Sequence, residues 1–533
     1  MTSGTLVSRG LGFLRSILLV AAIGGTSAAV GGQAFDVANN LPTNLFTLIA
    51  GGVLGSVLVP QIVRALGRAD GGREYLDQVF TLALVGGLVF TAAAVVCAPL
   101  LVQLYVSDWP SSWLRLATTM TYWCLPQMFF LIAFSVLGQV MNATSRFGAY
   151  MWAPAISNVV AIAGIVVFLL VIPNGTVSAE AWTPGMVALI AGFATAGTLT
   201  QALILWFVIT RSGIRFRWRF SLQGLGQTGR TAGWTFLGVL AGQVAFVFTS
   251  SAASGAGAEL NRLGVEGASL NSLSNAYLIV LLPHALVTVS VVTALFTRMS
   301  ASAANDRHHE VTDIISAGTG IISISGVVAT VFLVAFGPLL GEALWDSATI
   351  GQVISRLAFM IVPFSVIYLT QRASLSYENA LSPFIQAISI AALIAIGSIL
   401  SASLLPPTLV VLGIAASIAV AHWVAAIYGW FAIRTQLKQR SAWKRASRKL
   451  LARGAIQVAL ALVGIGSAHL LLQVVPLITE SLRFDAVFRV ALAATVTVLV
   501  YSTGCLLTRD PSARRFIIGR RTPGSHTSPA NTR

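Results

Sequence analysis

Fourteen stretches of predominantly apolar residues, each about 20 residues or longer, divide this chain and constrain its fold more than any other feature. Each stretch is long enough to cross a bilayer as a helix, and the runs are too continuous for the alternating pattern of a membrane β-strand. The sequence therefore predicts an all-α polytopic membrane protein with about 14 transmembrane helices. The predicted spans are residues 6–30, 35–63, 78–105, 116–141, 151–172, 185–210, 231–254, 270–298, 313–340, 350–375, 384–404, 408–434, 450–475 and 486–508.

The composition excludes a soluble globular protein. Only 9% of the 533 residues are charged and 56% are hydrophobic, whereas a soluble domain has about 25% charged residues. The formal net charge of +16 is spread between the apolar runs. Orientation in a membrane therefore explains this charge better than binding of nucleic acid, and no nucleic-acid partner is expected.

The basic residues are concentrated after the even-numbered spans. They lie within residues 64–73, 146, 211–230, 298–307 and 434–453, and in the tail 509–533. The loops after odd-numbered spans carry mostly acidic residues, such as Asp108, Glu180, Glu259 and Glu342. Because cytoplasmic loops are enriched in lysine and arginine, this alternation predicts that both termini are cytoplasmic. A missed span would invert the pattern downstream, so the alternation also supports the count of fourteen.

Two arginines, Arg9 and Arg15, lie in the first apolar segment. On a helix they are roughly 120° apart and within two turns of each other. An arginine inside a span costs a few kcal/mol and usually faces a bundle interior or an aqueous cavity. Its planar fork of donors suits carboxylate and phosphate, which predicts an anion-binding cavity. The alternative is that Arg9, near the chain start, extends to the headgroups as a positive-inside anchor.

Few other polar groups fall within the predicted spans. Asp36 has two interpretations: it balances Arg9 or Arg15 when no substrate is bound, or it caps the second helix at the interface. The uncharged candidates for lining the cavity are Gln33, Asn39, Asn40, Asn44, Asn158 and Gln243. For each of these the alternative is a hydrogen bond that packs two helices together.

An internal repeat relates the fourth and tenth spans. In each, a proline is followed sixteen positions later by Asn-Ala, as in Pro126 with Asn142 and Pro363 with Asn379. This indicates two six-helix halves repeated in parallel, with spans thirteen and fourteen left over as an appendage. Such repeats are typical of alternating-access transporters. The predicted hinge or gate residues are Pro42, Pro283, Gly51, Gly52 and Gly55.

The chain lacks the motifs of an enzyme. It has no phosphate-cradling GxxxxGK[ST] sequence, and its three cysteines and six histidines show no metal-ligand spacing. His284 lies at mid-span, where a packed neutral histidine or a proton-coupling role are the two interpretations. We expect no metal, no cofactor and no catalytic residue.

Several motifs together resemble one family. They are S-R-x-x-G-F-x-R from Ser8 to Arg15, L-P-x-x-L from Leu41, Val59-Pro60, N-A-x-x-R-F from Asn142 and A-P-x-x-x-N from Ala153. With fourteen spans, these motifs resemble the MurJ (MviN) lipid II flippases of the multidrug/oligosaccharidyl-lipid/polysaccharide exporter superfamily, in an actinobacterial form. The resemblance covers nearly the whole chain, and the first motif is the most specific.

The resemblance implies two six-helix lobes around a cationic cavity, with a groove from the last two spans that takes the lipid tail. It assigns residues 1–220 to an N-lobe, 221–445 to a C-lobe, 446–508 to the groove and 509–533 to a disordered basic cytoplasmic tail. The family's first-span arginines match Arg9 and Arg15. This chain departs from the family at Gln33 and Phe46, and at Leu278 and Leu281 in the eighth span, so its cavity is expected to be less cationic.

The function expected from the resemblance is translocation of lipid II across the bacterial cytoplasmic membrane for cell-wall synthesis. The implied partners are lipid II, anionic membrane lipids and cell-wall synthesis proteins. Two alternatives remain at this stage. One is an exporter of other polyprenyl-linked glycans or of drugs, and the other is a membrane scaffold that recruits partners through the basic loop 434–453.

Overall fold

The computed structural model describes residues 2–49, 73–143, 147–172, 178–213, 216–220, 229–437, 440–476 and 482–513. The first nine α-helices are α1 (Thr2–Ile23), α2 (Val30–Ile49), α3 (Arg73–Val96), α4 (Ala98–Tyr105), α5 (Ser111–Cys124), α6 (Pro126–Ala143), α7 (Phe147–Val171), α8 (Phe193–Arg211) and α9 (Gly229–Arg262). The next nine are α10 (Leu270–Val280), α11 (Val289–Ala304), α12 (His308–Trp345), α13 (Ala348–Leu357), α14 (Ile361–Ser376), α15 (Leu381–Leu404), α16 (Pro407–Gln436), α17 (Arg440–Val474) and α18 (Leu482–Leu507). Short helical turns cover Ala179–Ala181, Pro184–Val187, Ala188–Gly192, His284–Thr288 and Ala358–Met360.

The predicted all-α membrane fold is confirmed. The described residues contain 13 helical stretches long and apolar enough to cross a membrane, and they correspond to thirteen of the fourteen predicted spans. The remaining prediction is the second span, 35–63, of which α2 covers the part up to Ile49. Helices satisfy their own backbone donors and acceptors, which lipid cannot do, so long apolar runs become helices.

Three prolines within the predicted spans, Pro126, Pro283 and Pro363, coincide with breaks in a helix. Helix α5 ends at Cys124 and α6 begins at Pro126. Helix α10 ends at Val280, just before Pro283 and the π-helical turn His284–Thr288. A 3₁₀ turn separates α13 from α14, whose third residue is Pro363. Proline lacks a backbone N–H and clashes with the preceding turn, which accounts for these interruptions.

The other predicted hinge residues differ in their setting. Pro42 lies inside α2, which is helical on both sides of it. Gly51, Gly52 and Gly55 lie outside the described residues. A hinge or gate role for any of these positions stays a prediction.

Contacts divide the chain into two compact units. The first comprises Met1–Leu278, Leu344–Val353 and Pro383–Ala421. In it, α7 packs along both α1 and α8 through small residues: a Cβ placed at Gly164 would overlap the Leu189 carbonyl oxygen and Phe193, and one at Gly197 would lie within 3.1 Å of the Ser157 hydroxyl. The close approach of these helices is the usual role of glycine in membrane helix packing.

The second unit comprises Ile279–Ala343, Ile354–Ser382 and His422–Arg533. Helices α17 and α18 pack against each other and against α12. Ile324 and Val327 of α12 share a buried apolar cluster with Ala461 and Tyr501, and the Tyr501 hydroxyl donates to the Ile324 carbonyl oxygen at 3.0 Å. The predicted appendage is therefore joined to α12 by buried contacts.

The boundary of the predicted disordered tail needs correction. Residues 509–513 fold against α17: the Gln457 side-chain amide donates to the Asp510 carboxylate at 2.9 Å, and Ala513 is fully buried. The buried Asp510 carboxylate thus has a hydrogen-bond donor, Gln457, which the sequence alone did not reveal. Residues 514–533 lie outside the described part of the chain. The division of the chain into N-lobe, C-lobe and groove stays a prediction.

Candidate functional site

The first helix packs on α7 along a row of small residues. A Cβ at Gly4 would lie 3.0 Å from the Met151 carbonyl oxygen, and one at Gly12 would lie 3.5 Å from the Asn158 side-chain nitrogen. That same Asn158 nitrogen donates to the Ser8 carbonyl oxygen at 3.0 Å. In this conformation Asn158 therefore holds α1 against α7, which is the helix-packing role considered for it.

Both candidate arginines are partly buried on α1. Among the residues that the structure describes, no carboxylate lies within ion-pair distance of Arg9 or Arg15, and neither guanidinium makes a hydrogen bond. A guanidinium has five N–H donors, and the described residues occupy none of them in either side chain, which leaves these donors for a ligand as far as this part of the chain shows. This arrangement suits capture of an anion, because partly buried cations without internal partners gain from an incoming phosphate or carboxylate.

A buried chain of hydrogen bonds begins one residue after Arg15. The Trp345 ring nitrogen donates to Ser16 Oγ at 3.3 Å, and Ser16 Oγ donates to Asn275 Oδ1 at 2.6 Å. Asn275 Nδ2 donates to Asn271 Oδ1 at 2.6 Å, and Asn271 Nδ2 donates to the Gly32 carbonyl oxygen at 3.0 Å. The chain ties α1, α10 and α2 together, which restricts the rotation of α1 and so orients Arg15.

The single acidic candidate, Asp36, is held by neutral donors. Its Oδ2 accepts from Ser274 Oγ at 2.8 Å and from Asn40 Nδ2 at 3.1 Å. Helix α2 begins at Val30, so Asp36 lies in its second turn and the interpretation as a helix cap is wrong. Within the described residues no arginine pairs with Asp36 in this conformation.

The remaining predicted residues are not brought together. Gln33 is 1% exposed, and its Nε2 donates to the Ser27 carbonyl oxygen at 3.1 Å, so it packs beside Gly257 instead of facing a cavity. Asn39 Oδ1 accepts from Gln127 Nε2 at 3.3 Å, which links α2 to α6. Asn44 on α2 and Gln243 on α9 are partly buried.

Sequence reasoning missed the polar cluster at the start of α10. Asn271, Ser272, Ser274 and Asn275 occupy four of five consecutive positions, and all four bond to α1, α2 or the turn between them, directly or through one another. Ser272 Oγ, for example, donates to the Gly25 carbonyl oxygen at 2.7 Å. The signal was present, because four polar residues at the start of a predicted span are costly unless they have partners.

The second unit holds a further arginine within a span. Arg372 on α14 is partly buried, and its guanidinium carbon lies 5.3 Å from the centre of the Tyr368 ring and 5.5 Å from that of Phe296. Cation–π contacts of this kind stabilise the positive charge of Arg372 without a carboxylate partner. In the same unit, His284 is packed against Phe364 and lies 3.0 Å from Ser365 Oγ, as expected of a core histidine.

A family model and a curated relative both relate this chain to the lipid II flippase MurJ. The family described as "Lipid II flippase MurJ" matches residues 20–482. A probable lipid II flippase MurJ of Haemophilus influenzae is 28% identical over 172 residues, which are 30% of this chain and 33% of that relative. The stretch aligned with this curated relative thus spans about a third of its length.

Solved structures of two kinds of transporter share the fold. A lipid II flippase MurJ in an inward closed conformation is 17% identical with a TM-score of 0.67, covering 95% of this chain and 98% of the other. An inward-facing multidrug resistance MATE family transporter is 16% identical with a TM-score of 0.64, covering 82% of this chain and 96% of the other.

Proposed function

The chain belongs to the lipid II flippase MurJ family, and on that premise we propose that it carries lipid II from the cytoplasmic to the outer leaflet by alternating access. It is a transporter and not an enzyme, so its residues bind and release the substrate without covalent chemistry. The observation that carries the proposal is the pair Arg9 and Arg15, partly buried on α1 and without ionic partners among the described residues. A pyrophosphate crossing a membrane needs such cations to compensate its charge.

In this proposal Arg9 and Arg15 hold the pyrophosphate with paired, charge-assisted hydrogen bonds. Asp36, Asn39, Asn44 and Gln243 line the path. Asn158 and Gln33 hold α1 and the turn after it in place, since their side chains donate to the backbone carbonyl oxygens of Ser8 and Ser27.

The two lobes of the transporter are proposed because the sequence repeat relates the fourth span to the tenth. Residues 1–220 and 221–445 would form the two lobes, with hinges or gates at Pro42, Gly51, Gly52, Gly55 and Pro283. Residues 446–508 would form the groove for the lipid tail. Anionic membrane lipids and cell-wall synthesis proteins are proposed as further partners.

The protein is a multi-pass protein of the cytoplasmic membrane, and we propose that both termini are cytoplasmic. A reporter fused after Arg533 should be active only if it functions on the cytoplasmic side, because the basic loops follow even-numbered spans. A fusion after Asp108, in a loop of the opposite predicted side, is the control and should give the reverse pattern. Activity of the Arg533 fusion only outside the cell would overturn the orientation and the span count.

The direct test of function is depletion in cells followed by an assay for lipid-linked precursor on the outer leaflet. The expected result is loss of outer-leaflet precursor, its accumulation on the inner leaflet, and restoration by the wild-type chain. Unchanged outer-leaflet precursor after depletion would refute the proposed function.

Asp36 offers a test of charge at the site. Asp36→Asn keeps an oxygen that can accept from Ser274 and Asn40 but removes the negative charge. We expect this variant to insert and fold normally yet fail to support growth, because in this proposal the carboxylate pairs with an α1 arginine in another conformation of the transport cycle. Ser274→Ala, which removes only one donor, is the control and should retain function. If Asp36→Asn also supports growth, the carboxylate serves only as a hydrogen-bond acceptor.

The alternative function is export of drugs or of other polyprenyl-linked glycans, which the fold likeness to a multidrug transporter favours. That structure covers a smaller share of this chain than the flippase structure does. Lipid II flipping predicts dependence on α17 and α18, whereas a twelve-span drug exporter would work without them.

A further inference from the structure

A cavity of about 360 Å³ opens between the first turns of α12 and α17, both in the second unit. On the α17 side it is lined by Arg445, Lys449 and Arg453, spaced four residues apart so that they form one stripe along the helix. Among the described residues none of these three cations is in an ion pair. The cavity therefore concentrates three positive charges, which no ion pair among the described residues neutralises.

The α12 side of this cavity supplies hydroxyl groups. Thr312 and Ser316 both line it, together with His309 and the single carboxylate of Asp313. Ser316 Oγ is buried and has no hydrogen-bond partner in the described structure, so its O–H remains to be satisfied by a ligand. Three cations and an unpaired hydroxyl around a cavity of this volume suit a phosphate group.

The surroundings indicate a lipid as the source of that phosphate. The lining cations lie in the first eleven residues of the candidate span Trp443–Val474, and basic residues at the end of a span typically extend to the headgroups. Trp430 and Trp443 lie near the start of this span with ring centres 4.5 Å apart and ring planes tilted by 35°, and tryptophan is enriched near membrane interfaces. Further along α17, Leu451 is 75% exposed and Ile456 is 47% exposed, which provides an apolar surface for acyl chains.

We propose that this cavity, the α12–α17 pocket, binds the phosphate of an anionic phospholipid headgroup. Basic pockets between transmembrane helices on the cytoplasmic side are known to bind such headgroups. The proposal does not depend on flipping of lipid II; only the leaflet, the cytoplasmic one, follows from the proposed orientation. A bound lipid would bridge α17 to α12 and support their packing.

The test titrates the detergent-purified full chain with dioctanoyl phosphatidylglycerol and measures binding by calorimetry. The pocket variant is Arg445→Ala with Lys449→Ala, and the matched control is Lys444→Ala with Arg448→Ala, which removes two charges from an adjacent face of the same helix outside the cavity lining. We expect the pocket variant to bind at least about tenfold more weakly and the control to bind within about twofold of wild type.

A third variant excludes misfolding as an explanation. Asp313→Asn removes the carboxylate that repels the phosphate and should tighten binding, which an unfolded pocket cannot do.

Three outcomes would contradict the proposal. Equal weakening by both double variants would mean that the lipid is attracted by diffuse charge and not by this site. Equal binding of dioctanoyl phosphatidylcholine would show that headgroup charge is irrelevant. Tighter binding of inorganic pyrophosphate than of phosphatidylglycerol, lost in the pocket variant, would assign the cavity to a soluble phosphate compound and refute the lipid.

Discussion

Replacing Arg15 by alanine should abolish the ability of the chain to support growth while leaving it inserted in the membrane at normal levels. A guanidinium that makes two charge-assisted hydrogen bonds to a pyrophosphate contributes about 1.5–3 kcal/mol through each, so their loss weakens binding about 100-fold or more. Because Arg15 has no ionic partner among the described residues, its removal leaves none of the acids in that part of the chain without its ion pair. The measurements are complementation of a depleted strain and the amount of protein in the membrane fraction.

The lysine variants separate binding from anchoring. Arg15→Lys should be much weaker than wild type, since an ammonium cannot reproduce the paired geometry of the fork. Arg9→Lys should also fail if Arg9 binds the substrate, whereas it should function if Arg9 only anchors the helix end, where either cation serves.

Arg262→Ala is the matched control for the arginine variants. Arg262 is exposed and paired with Glu259 at 2.6 Å, an interaction of little energetic weight, so this variant should behave as wild type. Full complementation by both Arg9→Ala and Arg15→Ala would remove the cationic site from the proposed mechanism and favour the drug-exporter or scaffold alternatives.

The second large effect is expected from removal of α17 and α18. A chain that ends after Arg434 should insert and fold its first twelve spans but should not support growth, because the groove for the lipid tail is gone. The cut exposes the face of α12 that carries Ile324, Val327 and Phe336. In a membrane this face meets acyl chains as apolar as the helices it lost, so the energetic penalty is small.

A single-residue control keeps the truncation interpretable. Tyr501→Phe removes only the hydrogen bond from α18 to the Ile324 carbonyl oxygen, and it should retain function. Growth supported by the truncated chain would refute the lipid-groove proposal. Absence of the truncated chain from the membrane would instead show that the two helices are needed for folding, which contradicts their status as an appendage.

The positions of the helices could be predicted from the sequence because each span is stabilised locally. In lipid a helix satisfies its own backbone groups, so about 20 apolar residues are enough to predict one. The breaks near Pro126, Pro283 and Pro363 are equally local, since proline removes a donor wherever it lies.

The partners of the polar side chains could not be predicted in this way. Ser16 bonds to Asn275, 259 positions away, and Asp36 bonds to Ser274, 238 positions away. Helical periodicity does not report which helices are neighbours, because faces that meet lipid and faces that meet protein are both apolar. For the same reason the sequence did not predict that Gln33 packs between helices, or that the polar residues at the start of α10 bond to α1, α2 and the turn between them.

The sequence by itself determined the membrane class, the positions of thirteen of the fourteen predicted spans, the alternation of charge and the presence of two arginines in the first helix. The tertiary structure decided that these arginines have no ionic partner among the described residues, that Asp36 is held by neutral donors, and that the basic stripe of α17 faces hydroxyl groups of α12. The physical reason is that insertion depends on the composition of one segment, whereas hydrogen bonds and cavities depend on how distant segments come together.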